Sequence, residues 1–172
     1  VLQAESPDEE ALCQAAMDLG CTFVGREPGG VILENKYGKR LTYELLATIP
    51  FDSTRKRMTS VVRRPDGSAV AYSKGADEVM FERLKDDSQR TVIAQHLYEF
   101  SSEGLRTLVL AKRDLTSGEC DSFLKQWQIA GSTVTNRDRF IEEAAAIIER
   151  KLRILGATAI EDKLQDGVPE TL

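Results

Sequence analysis

Residues 58–73, MTSVVRRPDGSAVAYS, restrict the fold more than any other stretch of the chain. Two runs rich in β-branched and small apolar residues flank Pro65-Asp66-Gly67. Asp-Gly tolerates the left-handed backbone that a tight turn needs, so the segment is read as a β-hairpin. Antiparallel pairing at this point makes a purely parallel sheet impossible. Strand character recurs on the N-terminal side in CTFVG, GVILEN and RLTYELLATIPF, with a turn at Tyr37-Gly38 between the last two. It returns later in LRTLVLAKRDL.

Helical signals lie before and after this meander. Ser6, Pro7 and Glu9 follow the capping-box pattern, with proline at the first helical position and Gly20 closing the helix. Ala11, Leu12, Ala15, Ala16 and Leu19 recur on one face, which is expected to pack on a core. Asp77 is placed as the cap of a short helix running to Leu84, and residues 91–102 form another. Residues 122–132 and 136–152 are amphipathic. The second of these is capped by Asn136 and presents Phe140, Ala144, Ile147 and Ile148 on its apolar face. Strands early and helices late predict an α+β fold, a twisted antiparallel sheet flanked by helices, over a doubly wound parallel one.

With 172 residues, 41% hydrophobic and 30% charged, the chain is long enough for one domain with a real core. Its formal charge of −5 gives no footprint for nucleic acid, so an anion must be met by a local cluster of cations. No apolar run approaches the roughly 20 residues of a membrane-spanning helix. Three cysteines without CxxC spacing and a single histidine make disulfide scaffolds and zinc sites poor expectations, and no metal site is expected. The chain opens at Val1 without an initiating methionine and stops at Leu172 in the middle of what reads as a structured segment, and it is read as a piece of something larger. After Leu152 the character changes to RILGATAIEDKLQDGVPETL. The boundary is placed at residue 151, so that 1–151 form one domain and 152–172 the truncated start of a neighbouring one.

No GxxxxGK[ST], GxGxxG, HExxH or GxSxG motif occurs. What remains is a set of residues suited to a nucleotide if the fold gathers them. Phe51 ends a strand beside Arg55, Lys56 and Arg57; an aromatic there can stack a base while the cations face phosphates, or it can be a core residue next to a solvated turn. Glu9 is explained either by its capping box or by a hydrogen bond to a base amino group. Arg106 follows Gly104 at a strand start, where its planar fork reaches a phosphate or pairs with Glu103 or Glu99. Lys74 precedes Gly75 and the helix start at Asp77. Glycine permits close approach of a ligand to the backbone, and the helix N-terminus adds positive potential. These local features leave a ligand for Lys74 open.

Five stretches in order, ESPDEEAL, PFDSTRKRM, SKGAD, EGLRTL and GATAIEDKLQDGVPETL, together resemble the nucleotide-binding domain of P-type ATPases, and within them the type-IV, phospholipid-flippase branch. KGA alone is short and shared by such pumps generally, whereas SPDE with ATAIEDKLQDGVPET is far more specific. The sequence departs from the branch at Thr59, often serine, and Ser73, often cysteine, and at Glu10 after SPDE.

The resemblance implies an ATP-binding domain. It implies Phe51 as the aromatic stacked on adenine, Lys74 lining the adenine pocket, Glu9 meeting the adenine edge and Arg106 reaching toward the phosphates. Lys56 and Ser53 are implied near the nucleotide. Mg²⁺ is implied with ATP, held mainly by groups outside this chain. No catalytic residue is expected here, because the phosphorylated aspartate of such pumps lies in a DKTGT motif, absent from this sequence. Asp162 and Asp166 are read as marking the return into that phosphorylation domain. The implied partners are ATP and the phosphorylation and actuator domains of one parent chain, at the cytosolic face of a membrane. This piece itself is expected to be monomeric, outside the membrane and free of nucleic acid. The alternative from another class is a non-catalytic module whose KGAD and RKRM contact an acidic partner protein.

Overall fold

The hairpin at Asp66-Gly67 forms as expected. Gly67 has φ +84° and donates to Arg64 O at 2.9 Å, while Asp66 Oδ1 accepts from Ser68 N at 2.9 Å. The strands it joins are β4 (Arg57–Arg63) and β5 (Ala69–Gly75), paired in uninterrupted register from Arg63↔Ala69 to Arg57↔Gly75. In the computed structural model, which describes residues 6–28, 30–85, 88–133 and 135–161, this hairpin is the centre of one seven-stranded sheet.

The strands run in chain order across the sheet, each antiparallel to the next. On one side of the hairpin stand β1 (Cys21–Glu27), β2 (Gly30–Asn35) and β3 (Arg40–Asp52); on the other, β6 (Arg106–Leu115) and β7 (Arg153–Ile160). The helices are α1 (Pro7–Asp18), α2 (Asp77–Phe81), α3 (Arg90–Ser102), α4 (Ser117–Ser132) and α5 (Arg137–Ile148). The α+β expectation holds.

The core explains the order of the elements. Alternate residues of the central strands, among them Val61, Ala71 and Leu115, pack beneath Phe123 of α4 and Ala144, Ala145 and Ile148 of α5. Val109, Ala111 and Ile154 pack beneath Met80 of α2 and Leu97 of α3. Small residues on the strands let these helices lie close to the sheet, so one face is covered by α2 to α5. Residues at odd sequence distance from these, such as Lys74 and Arg106, project from the other face.

Several sequence expectations are corrected. α1 buries no residue completely, and Leu19 is 84% exposed, so its apolar stripe is not a core face. Ala76, not Asp77, caps α2, which ends at Phe81. Asn136 caps α5 in a left-handed conformation with φ 59° and makes no side-chain cap bond. α4 begins five residues before the expected 122. Its start is set by a true capping box, Thr116 with Glu119, whose T-x-x-E spacing is visible in the sequence. The apolar run after Leu152 is β7, paired along β6 from Lys112↔Arg153 to Arg106↔Ile160, so the boundary expected at 151 falls immediately before a strand of the same sheet. Asp162 and Asp166 lie outside the described residues.

Candidate functional site

Lys74 sits on β5 opposite Met58 of β4 and Leu110 of β6. With Ser60, Tyr72 and Leu155 these residues line a recess of about 200 Å³ on the face away from α4 and α5. The lysine stem is largely covered while its ammonium donates to Glu9 Oε1 of α1. Glu9 therefore does not complete the expected capping box. Ser6 Oγ accepts from Glu9 N at 3.2 Å, but the Glu9 carboxylate turns to the lysine.

Arg106 lies on the same face, four residues before Leu110 on β6. Its Nη1 donates to Asp8 Oδ1 at 3.0 Å and Oδ2 at 3.1 Å, a partner on α1 in place of the expected Glu103 or Glu99. Consecutive acids of the first turn of α1 thus hold two cations of the open face.

The end of β3 and the turn that follows it carry the remaining candidates. Phe51, next to last in β3, is 61% exposed, so a core role is excluded and its ring is available for stacking. Ser53 is exposed in the turn that follows. That turn is organised by Asp52, whose Oδ1 accepts from Thr54 N at 2.8 Å and Arg55 N at 3.1 Å. Those two bonds, Arg55's first, hold the Asp52 carboxyl below its ordinary range and keep it ionised. Lys56 adopts a left-handed backbone with φ 51° and pairs with Glu78 at 2.5 Å, which raises the lysine pKa.

Arg55 and Arg57 do not face outward with Lys56, as the reading of three clustered cations expected. Both turn beneath the sheet to Glu149, one residue past α5, which is 3% exposed overall. Arg55 Nη2 reaches Glu149 Oε1 and Arg57 Nε reaches Oε2, each at 2.6 Å. Thr59 Oγ1 donates to Oε1 at 2.7 Å. Because that hydroxyl has spent its proton on Glu149, the 2.8 Å bond between Thr59 and Ser73 must have Ser73 as donor. Arg57 also meets Glu142 at 2.9 Å. Two of the three departures from the flippase pattern, Thr59 and Ser73, are thus hydrogen-bonded neighbours in one buried network. Nothing in the sequence signals a pairing across some ninety residues.

Gly75 also has a structural reason other than the one expected. A Cβ there would stand 2.6 Å from Arg57 Cβ and 2.6 Å from Lys56 O. The close approach is between two strands, and Ala76 N closes it by donating to Lys56 O at 3.0 Å. Glu78 N is likewise taken by Asp77 Oδ1 at 2.8 Å, so this N–H at the start of α2 is already engaged.

A larger recess of about 290 Å³ opens beside the β1–β2 turn, lined by Arg26, Glu27, Val31 and Glu44 among others. It contains none of the candidate residues, and chemistry rather than size favours the recess at Lys74. Among the described residues no group of three or more His, Cys, Asp or Glu side chains converges as a metal cage. No helix among them is long and apolar enough to cross a membrane.

The family described as P-type ATPase, cytoplasmic domain N, matches residues 1–167 of this chain. The chain belongs to that family. It is 49% identical over 173 residues to the phospholipid-transporting ATPase DRS2 of Saccharomyces cerevisiae, covering 99% of this chain and 13% of that protein. It is 45% identical over 175 residues to the phospholipid-transporting ATPase DNF1 of Chaetomium thermophilum, covering 100% of this chain and 11% of that protein. The probable phospholipid-transporting ATPase IM of Homo sapiens is 44% identical over 178 residues, covering 100% and 14%. The chain thus spans only a small fraction of the length of these relatives.

Proposed function

We propose that this N domain holds ATP for a phospholipid-translocating P-type ATPase, with the base between Phe51 and Lys74 and the phosphates toward Arg106. The observation that carries the reading is the position of Lys74. Its covered stem lines a recess with Met58, Tyr72 and Leu110, while Phe51 stands exposed near the end of β3, the strand paired with β4. A planar, partly apolar base suits that combination. Glu9 offers a carboxylate to an exocyclic amino group, and Ser53 and Lys56 flank the approach from the β3–β4 turn.

ATP with its Mg²⁺ supplies the phosphoryl group. The residues of this domain bind and orient the nucleotide. Transfer belongs to an aspartate in the phosphorylation domain of a parent chain, with the actuator domain as a further partner there, at the cytosolic face of the membrane. The isolated domain acts as a monomer without turnover.

Calorimetric titration with ATP tests the reading. Phe51→Ala is expected to remove about 1–3 kcal/mol, roughly tenfold or more in affinity, if its ring carries the base. Lys74→Ala is expected to weaken binding as well. Parent-like affinity in both variants, or no binding by the parent, would overturn the assignment.

A further inference from the structure

Asp8 and Glu9 are neighbours on the first turn of α1, yet they hold cations with different expected duties. Glu9 meets Lys74 at the recess, whereas Asp8 meets Arg106 through both carboxylate oxygens. Alternation along β5 and β6 puts Lys74 and Arg106 on one face, so a nucleotide extended from the recess toward Arg106 passes α1's first turn. We propose that Asp8 is a built-in competitor for the phosphate chain, occupying the guanidinium that the phosphates must engage and thereby holding down affinity for phosphorylated nucleotides selectively.

The proposal rests on the placement of the phosphates toward Arg106 given above. Its chemistry is the exchange of one oxyanion for another on the same donor. A phosphate reaching Nη1 displaces Asp8, and the displaced carboxylate stays nearby as a like charge. Both effects oppose binding of the phosphate chain, and neither acts on an uncharged nucleoside. The arginine is 53% exposed, so the pair is weak enough to be displaced. Asp8 is at the second helical position, where asparagine or serine is tolerated without disturbing Pro7 or the Ser6 cap.

The test is calorimetric titration of the parent, Asp8→Asn and Asp8→Ser with ATP, ADP and adenosine at low and high salt, with thermal melts to confirm folding. Removing a competing exposed ion pair and one repelling charge is expected to raise ATP affinity by about three- to tenfold at low salt. Adenosine affinity stays as in the parent, and the gain shrinks as salt rises. ATP affinity that is unchanged or lowered in both folded variants, or an equal gain for adenosine, overturns the role of Asp8. Where the parent binds ATP in a Phe51-dependent manner and the Asp8 variants gain nothing, this proposal alone falls. Where the parent binds neither ATP nor adenosine, it falls together with the ATP-holding reading.

Discussion

The two faces of the central strands use the same chemistry, cations held by carboxylates, to opposite ends. Beneath the sheet, Arg57 and Glu149 are 4% and 1% exposed in their side chains and share hydrogen bonds with Arg55, Thr59 and Glu142, while Thr59 is bonded in turn to Ser73. On the other face Lys74 and Arg106 keep the carboxylates of Glu9 and Asp8 within reach of water, and at the β3–β4 turn exposed Lys56 keeps that of Glu78. A buried charge that loses its partner cannot turn to solvent, whereas an exposed one can exchange partners. The comparison teaches which contacts hold the β3–β4 turn in shape and which can give way to a ligand.

The largest expected effect breaks the buried side. Glu149→Ala leaves two guanidinium groups without their shared anion and is expected to cost about 3–5 kcal/mol of stability, measured by urea unfolding. Gly75→Ala tests the same region through packing, since the new methyl meets Arg57 and the Lys56 carbonyl. A loss of about 1–3 kcal/mol is expected, with the amide signals of residues 55–57 displaced.

Acid sharpens the contrast next. Burial alone raises the Glu149 pKa, but the Thr59 hydrogen bond and the charges of Arg55 and Arg57 outweigh it, and the net direction is downward. A carboxyl depressed in the folded state stabilises fully above its unfolded value of about 4.3 and loses that contribution as pH falls through the folded value. Unfolding followed from pH 6 downward should therefore show stability lost below the ordinary glutamate range, and Glu149→Gln should flatten that part of the profile. The smallest effect belongs to the open face. Asp8→Asn should change global stability by no more than about 0.5 kcal/mol by the same urea assay, since an exposed pair contributes little.

The strand meander was legible because Asp66-Gly67, Tyr37-Gly38 and alternating apolar runs are local signals. The exposed Phe51 was legible only as one of two alternatives, since a strand end does not say which way a ring points. Glu9 was hidden by a capping pattern that fits it in sequence; only the fold shows its carboxylate on Lys74, sixty-five residues away. Arg55 and Arg57 misled for the same reason. Their neighbours RKRM suggest a basic surface, but Arg57, on the covered face of β4 with Thr59 and Val61, and Arg55, in the turn before it, both reach Glu149 just past α5 and leave Lys56 outside. β7 was assigned to a neighbouring domain because a change in composition resembles a boundary, while pairing with β6 is non-local.

Amide chemical-shift mapping of the parent titrated with ATP tests the ATP-holding face most directly. The expected result is saturable shifts at Phe51, Ser53, Lys56, Lys74 and Arg106 and in the first turn of α1, with α4 and the Glu149 network unmoved. Saturable shifts centred on α4 and α5 or on the β1–β2 recess, or none at millimolar ATP, would contradict it.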